Sequence, residues 1–208
     1  MPTPTDTGQA ADTSAAPVDH RARLLAGMAV SVRAKGFRQT TLADVVREAK
    51  VSRRTFYEHF ADLADCFVAL LESHAARNIA QIATSVAAGG TADERLDRAV
   101  GAYLDTLESD PLLMRAFLRE LHLAGDRGRR LVSTLNARAG EMIHQQVEEL
   151  RTHEPEFGLT SIPVPMARMI AAGIVQMALL AQDEGRPLDE VRGTAIGLLR
   201  RAAQAPDG

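Results

Sequence analysis

Between Thr40 and Leu71 the chain reads TTLADVVREAKVSRRTFYEHFADLADCFVALL, and this stretch narrows the choice of fold more than any other. Leu42, Val45, Val46 and Ala49 recur at i, i+3, i+4 and i+7, one apolar face of a short helix, with Thr41 placed ahead of it as an N-cap. Ser52 opens a second short helix on which Phe56 and Phe60, four residues apart, share a face. Only Lys50 and Val51 lie between, so the two helices must turn sharply against one another. Two short helices joined by a tight turn, the second carrying Arg53, Arg54, Thr55 and Tyr57, are how a helix-turn-helix presents side chains to DNA.

The rest of the chain continues in helical periods. Asp19 caps a first helix to about Ala34, with Leu24, Leu25, Met28, Ala29 and Val32 as its buried stripe, and Gly36 supplies a left-handed C-cap. After the central pair, Asp62 caps a long helix from Leu63 to about Ala88, stopped by Gly89-Gly90. Thr91 with Glu94 forms a capping box for a helix ending near Asp110, and Pro111 opens another that ends at Gly125. Asp126 to Arg151 reads as a long, more polar helix, Thr152 to Ile162 as a loop, Pro163 to Gln182 as an almost wholly apolar helix, and Pro187 to Gln204 as the last. No strand alternation and no internal repeat is visible. The expected class is all-α with about nine helices. A three-helix DNA-binding domain at 19–64 precedes a helical regulatory and dimerisation domain at 65–205, and an unanchored, disordered tail occupies 1–18.

Composition sharpens this reading. The net charge of −3 conceals an asymmetry: residues 20–63 carry nine bases against four acids, while the segments on either side are both net acidic. The basic segment is the helix-turn-helix itself, as attraction to phosphates requires. The single cysteine, Cys66, falls on an apolar helical face; it excludes a disulfide framework, fits a reducing cytoplasm and reads as a packed core residue. No run approaches the uninterrupted apolar length of a membrane span, and Met1 to Asp19 resembles neither a signal peptide nor a presequence, so the expected location is cytoplasmic, without membrane or cofactor. His59 has no ligand-spaced companion for a metal, and the other histidines carry no motif. No paired acids, nucleophile elbow or phosphate loop supports catalysis.

The eighth helix carries a further inference. A helix apolar on every side has to be buried on every side, and small residues in it and in the ninth helix permit close packing. One side toward the core and the other toward a second copy satisfies this, with Met166, Ile170, Gly173, Ile174, Met177, Leu188, Val191, Ala195 and Leu198 as the expected interface.

The pattern TTLxDVxxxAxVSxxTFYxHF, with Gly36-Phe37 upstream, closely resembles the TetR (tetracycline repressor) family of transcriptional regulators. The resemblance implies that Arg53, Arg54 and Thr55 occupy base-reading positions, and that Thr41, Ser52, Tyr57 and His59 occupy phosphate-contacting ones. Phe56 and Phe60 are expected to lock the recognition helix to the first helix. It further implies a homodimer on a near-palindromic double-stranded DNA operator, and a small molecule that enters a cavity among helices four to seven and swings the fourth. Candidates to line that cavity are Leu70, His74, Tyr103, Leu107, Met114, Phe117, His122 and Met142. Two positions depart from the family: Lys50 replaces the usual glycine of the turn, and Leu63, flanked by Asp62 and Asp65, replaces a lysine. Lys50, Arg38 and Lys35 are the expected substitutes in contacting phosphate. The function implied is a sequence-specific repressor released by an effector. The alternatives are an activator or ligand-independent regulator of the same build and, with no motif in support, a helical enzyme.

Overall fold

Most of the helices begin where the sequence supplies an acceptor for the orphan N–H groups of a first turn. The computed structural model describes residues 19–87 and 89–204, so the tail at 1–18 lies outside the described residues. Asp19 accepts from Ala22 N–H at 2.9 Å to start α1 (His20–Lys35). Thr41 and Asp44 cap each other reciprocally to start α2 (Leu42–Ala49), and Ser52 accepts from Thr55 N–H to start α3 (Arg53–His59). Asp62 accepts from Asp65 N–H at 2.7 Å ahead of α4 (Leu63–Ala87). The Thr91–Glu94 box opens α5 (Ala92–Ser109), and Asp110 with Pro111 opens α6 (Pro111–Glu120). Three more helices follow: α7 (Gly125–His153), α8 (Val164–Asp183) and α9 (Asp189–Ala203).

Several boundaries differ from expectation, and α9 starts at Asp189 instead of Pro187. Gly36 ends α1 with φ 76° but an extended ψ of 164°, not the left-handed cap. It is this positive φ that calls for glycine here. The sixth helix gives way at Leu121 to a 3₁₀ turn (Leu121–Ala124), and α7 runs past Arg151 to His153, shortening the loop before α8.

The three N-terminal helices pack around Leu24, Met28, Val32, Val45 and Phe56, all at most 2% exposed. Backbone meets backbone at Gly27: a Cβ there would sit 2.7 Å from the Val45 carbonyl and 2.9 Å from Ala49 N. Phe67 at the foot of α4 continues this core upward, stacked on Phe37 at 4.1 Å and tilted against Phe117 of α6 at 5.2 Å. Cys66 lies beside it with no exposed surface, and burial pushes its thiol up to about 12. From there α4 and α5 form an antiparallel hairpin through Gly89-Gly90, both at positive φ. Helices α7 and α8 pack side by side, with Gly140 of α7 against the backbone of Arg168, and α9 returns along α5 and α8.

By length and composition α8 is apolar enough to cross a membrane, with a mean hydropathy of 1.6, yet one arc of it (Ala167, Ile170, Ile174, Ala178, Ala181) is packed inside the fold. The opposite arc is open within one chain, so the expectation of burial on every side fails for the isolated protomer. Met169 is 69% exposed and Met166, Met177 and Leu180 stand out with it. Gly27→Ala is expected to force α1 and α2 apart and lower stability by about 1–3 kcal/mol, seen as a lower urea midpoint at unchanged m-value.

Candidate nucleic-acid interface and effector cavity

The turn between α2 and α3 is built from backbone bonds. Lys50 N–H donates to Arg47 C=O and Val51 N–H to Val46 C=O, both at 3.1 Å, the pairing of a Schellman C-cap. That motif requires a left-handed residue, and Lys50 provides it at φ 52°, ψ 48°, the one non-glycine residue at positive φ among those described. Arg23 of α1 reaches across and donates from Nη2 to the Lys50 carbonyl at 2.8 Å, fixing the turn from a second side. The sequence gives no sign of this bond, which spans 27 positions.

The result is a seven-residue helix with one face locked and the other open. Phe56 and Phe60 are 0% and 4% exposed, and the Arg21 guanidinium lies 5.4 Å above the Phe60 ring. On the open side stand Arg53, Arg54, Tyr57 and His59, with Tyr57 60% exposed and edge-on to Phe56. Arg54 leans on Glu58 at 3.1 Å, whereas Arg53, Lys50 and the Arg38 guanidinium form no ion pair among the described residues. Thr55 is half-buried, and its hydroxyl shares a 2.9 Å hydrogen bond with that of Ser52.

Two of the residues expected near phosphate are engaged elsewhere. The Thr41 hydroxyl donates to Asp44 Oδ2 at 2.5 Å, and Thr41 N–H donates to the same oxygen at 2.9 Å. Lys35 Nζ donates to it as well, at 2.6 Å. The Lys35 ammonium, then the Thr41 hydroxyl and N–H, hold the Asp44 carboxyl well below the usual carboxylate range. Lys35 therefore braces α1 against α2, and the uncommitted N–H groups of Leu42 and Ala43 are what α2 offers at its N-terminus. At the start of α4 the acids are also occupied: Asp62 caps the helix and both its carboxylate oxygens accept from Arg127 Nη1 of α7 at 2.8 Å, while Asp65 accepts from Ala61 N–H.

Polar links tie this unit to both ends of α6. Asp110, its N-cap, accepts from Arg33 of α1 at 2.8 and 2.5 Å. Glu120, its last residue, accepts from the Arg38 backbone N–H at 2.8 Å. Between those ends α6 forms a wall of a cavity of about 1170 Å³ enclosed by α4 to α9. Seven of the eight expected lining residues are there: His74, Tyr103, Leu107, Met114, Phe117, His122 and Met142. Leu70 is not; it is 4% exposed in the core, and its neighbour Leu71 faces the cavity instead. The half-burial of Leu135, Val147 and Leu150 on α7 reflects the same cavity. Of the residues expected at a twofold interface, Met166, Gly173, Met177 and Leu198 face outward; Ile170, Ile174, Leu188, Val191 and Ala195 are buried within the protomer.

A cation-bearing helix held open by two others, joined to a helical unit around a large cavity, has the build of a helix-turn-helix unit on a helical bundle. Residues 26–70 match the family model described as bacterial regulatory proteins, tetR family. An uncharacterised HTH-type transcriptional regulator of Mycobacterium tuberculosis strain H37Rv is 33% identical over 103 residues, 50% of this chain and 52% of that protein. The chain spans about half the length of the curated relatives it matches. In fold it resembles a TetR-family regulator of Syntrophomonas wolfei (TM-score 0.72, 18% identity, 87% of this chain and 93% of that one). It resembles equally FadR of Bacillus subtilis, solved with stearoyl-CoA (TM-score 0.73, 16% identity, 88% and 99%).

Lys50→Gly relieves the left-handed strain at the turn and is expected to raise unfolding stability by about 0.5–1 kcal/mol, measured by denaturant titration.

Proposed function

We propose that the protein is a cytoplasmic, homodimeric, sequence-specific DNA-binding repressor that a small-molecule effector releases from its operator. The observation that carries this is the pairing of two features in one chain: an open recognition helix with unpaired cations, and a wall of the cavity anchored at both ends to the helices behind it. In this reading Arg53, Arg54 and Thr55 meet base edges, Arg through bidentate bonds to guanine and Thr through a thymine methyl. Ser52, Tyr57, His59, Lys50, Arg38 and the N-terminus of α2 around Thr41 meet phosphate and set the register. A copy related by a twofold axis, packed through the outward arc of α8 and Leu198 of α9, places two recognition helices in successive major grooves and calls for a near-palindrome. That so much apolar surface stands open on α8 supports the pairing. The fold likeness to a regulator solved with a bound ligand supports the effector role of the cavity.

Release follows from geometry. An occupant pressing on Met114 and Phe117 moves α6, whose ends hold Arg33 and the Arg38 N–H. It also moves α4, whose foot continues into the recognition unit. An activator of the same build differs only in what bound protein does to transcription, and reporter output in a deletion strain separates the two.

Footprinting on the DNA flanking its own gene is expected to show two protected half-sites about one helical turn apart. Arg53→Ala should cost about 1–3 kcal/mol and relax one position in each half-site, whereas Tyr57→Phe should weaken all sequences alike. Protection of a single half-site, or no protected site, would overturn the dimeric operator reading.

A further inference from the structure

The cavity is elongated and lined mainly by apolar side chains, and its shape selects an occupant. Its lining on α4 extends from Leu71 to Val86, a rise of about 22 Å along the helix, whereas a sphere of the same volume is only about 13 Å across. The long walls are aliphatic, with Ile79 and Ile82 on α4, Leu96 and Val100 on α5, and Leu135 and Val147 on α7. Phe117 and Tyr103 are the aromatic residues among the described lining, and Phe117 is already taken, with Phe67 at 5.2 Å and His74 at 5.8 Å. A planar ring system finds only the Tyr103 ring as a free stacking platform there. A flexible chain finds continuous apolar contact along it.

The end nearest α6 is different. His74 and Tyr103 lie at similar distances in sequence from the Gly89-Gly90 turn, so the antiparallel α4–α5 hairpin brings them level there. Both line the cavity, and among the described residues neither the Tyr103 hydroxyl nor the His74 imidazole has a hydrogen-bond partner. Burial raises the Tyr103 phenol to about 12 and lowers the His74 imidazole, so both are neutral at pH 7. Of the arginines lining the cavity, Arg95, Arg129 and Arg200 are paired with Glu154, Asp126 and Asp93, and Arg138 lies on α7. A hydroxyl or carbonyl placed between Tyr103 and His74 would meet a donor and an acceptor without either ring having to ionise.

We infer that the cavity takes a long, unbranched aliphatic compound with a neutral oxygen function, its chain running along α4 and α7 and its oxygen bonded to Tyr103 and His74. This rests on the proposed effector role of the cavity and specifies its chemistry.

Calorimetric titration of the full-length protein with the straight-chain primary alcohols from octanol to hexadecanol tests it. Affinity is expected to rise about fourfold for each added methylene and then stop rising as the cavity fills. The alkanoate of equal length is expected to bind more weakly than the alcohol, and naphthol no better than octanol. Tyr103→Phe should weaken alcohol binding about fivefold with the increment per methylene retained, a thermal melt confirming that the variant is folded. Ala99→Phe, which fills part of the cavity, should shorten the chain at which affinity stops rising. Affinity independent of chain length, tighter binding of naphthol than of hexadecanol, or a Tyr103→Phe variant that binds alcohols like the parent would overturn the inference. Operator release followed in the same samples separates the two readings. Alcohols that bind without releasing DNA uphold the ligand class and sink the release mechanism. Release by another compound, with no alcohol binding, does the reverse.

Discussion

The contact between α1 and the α2–α3 turn is the constraint on which the rest of the molecule depends. At Gly27 the two backbones touch, and four residues earlier Arg23 holds the carbonyl of the left-handed Lys50. The recognition helix has only seven residues and one buried side chain of its own, Phe56, so it has no independent stability. Its direction is set by what α1 does. Seen this way, the lysine at the turn is tolerated because the surrounding bonds overdetermine its conformation: two backbone N–H bonds on one side and a guanidinium on the other.

The same helix faces the larger helical unit. The C-terminal end of α1 carries Arg33, and the segment just after it carries Gly36 and Arg38, all in contact with the two ends of α6. Each link is a partly exposed polar contact worth no more than about 1 kcal/mol. Together they match the 1–3 kcal/mol that a typical coupling between sites requires. Phe67 and Phe117 add an apolar route between the same parts. In the proposed mechanism the ligand therefore acts on the operator through α1 as well as through a swing of α4.

What was legible in the sequence was local. The caps at Asp19, Thr41, Ser52, Asp62, Thr91 and Pro111 depend on residues three or four apart, and the helices start where those residues predict. The buried Phe56 and Phe60 followed from their spacing. Facing was not legible where apolar residues surround a helix. One residue turns a helix by about 100°, which is the whole difference between Leu70 in the core and Leu71 in the cavity. Likewise α8 carries no polar stripe, so nothing in its sequence separates the arc of Ile170 and Ile174, packed inward, from that of Met166 and Met177. The links from Arg23, Arg33, Glu120 and Arg127 span from 27 to 82 positions and leave no local signature.

Salt-dependent binding is the most direct measure of the central claim, that α3 and its neighbours dock on DNA phosphates and bases. Full-length protein would be titrated with double-stranded DNA from its own promoter over a series of salt concentrations. With Lys50 and Arg38 at phosphates in each of two protomers, the logarithm of affinity should fall linearly against the logarithm of salt with a slope of about −4 or steeper. A slope near zero, or no binding at about 50 mM salt, would contradict the account.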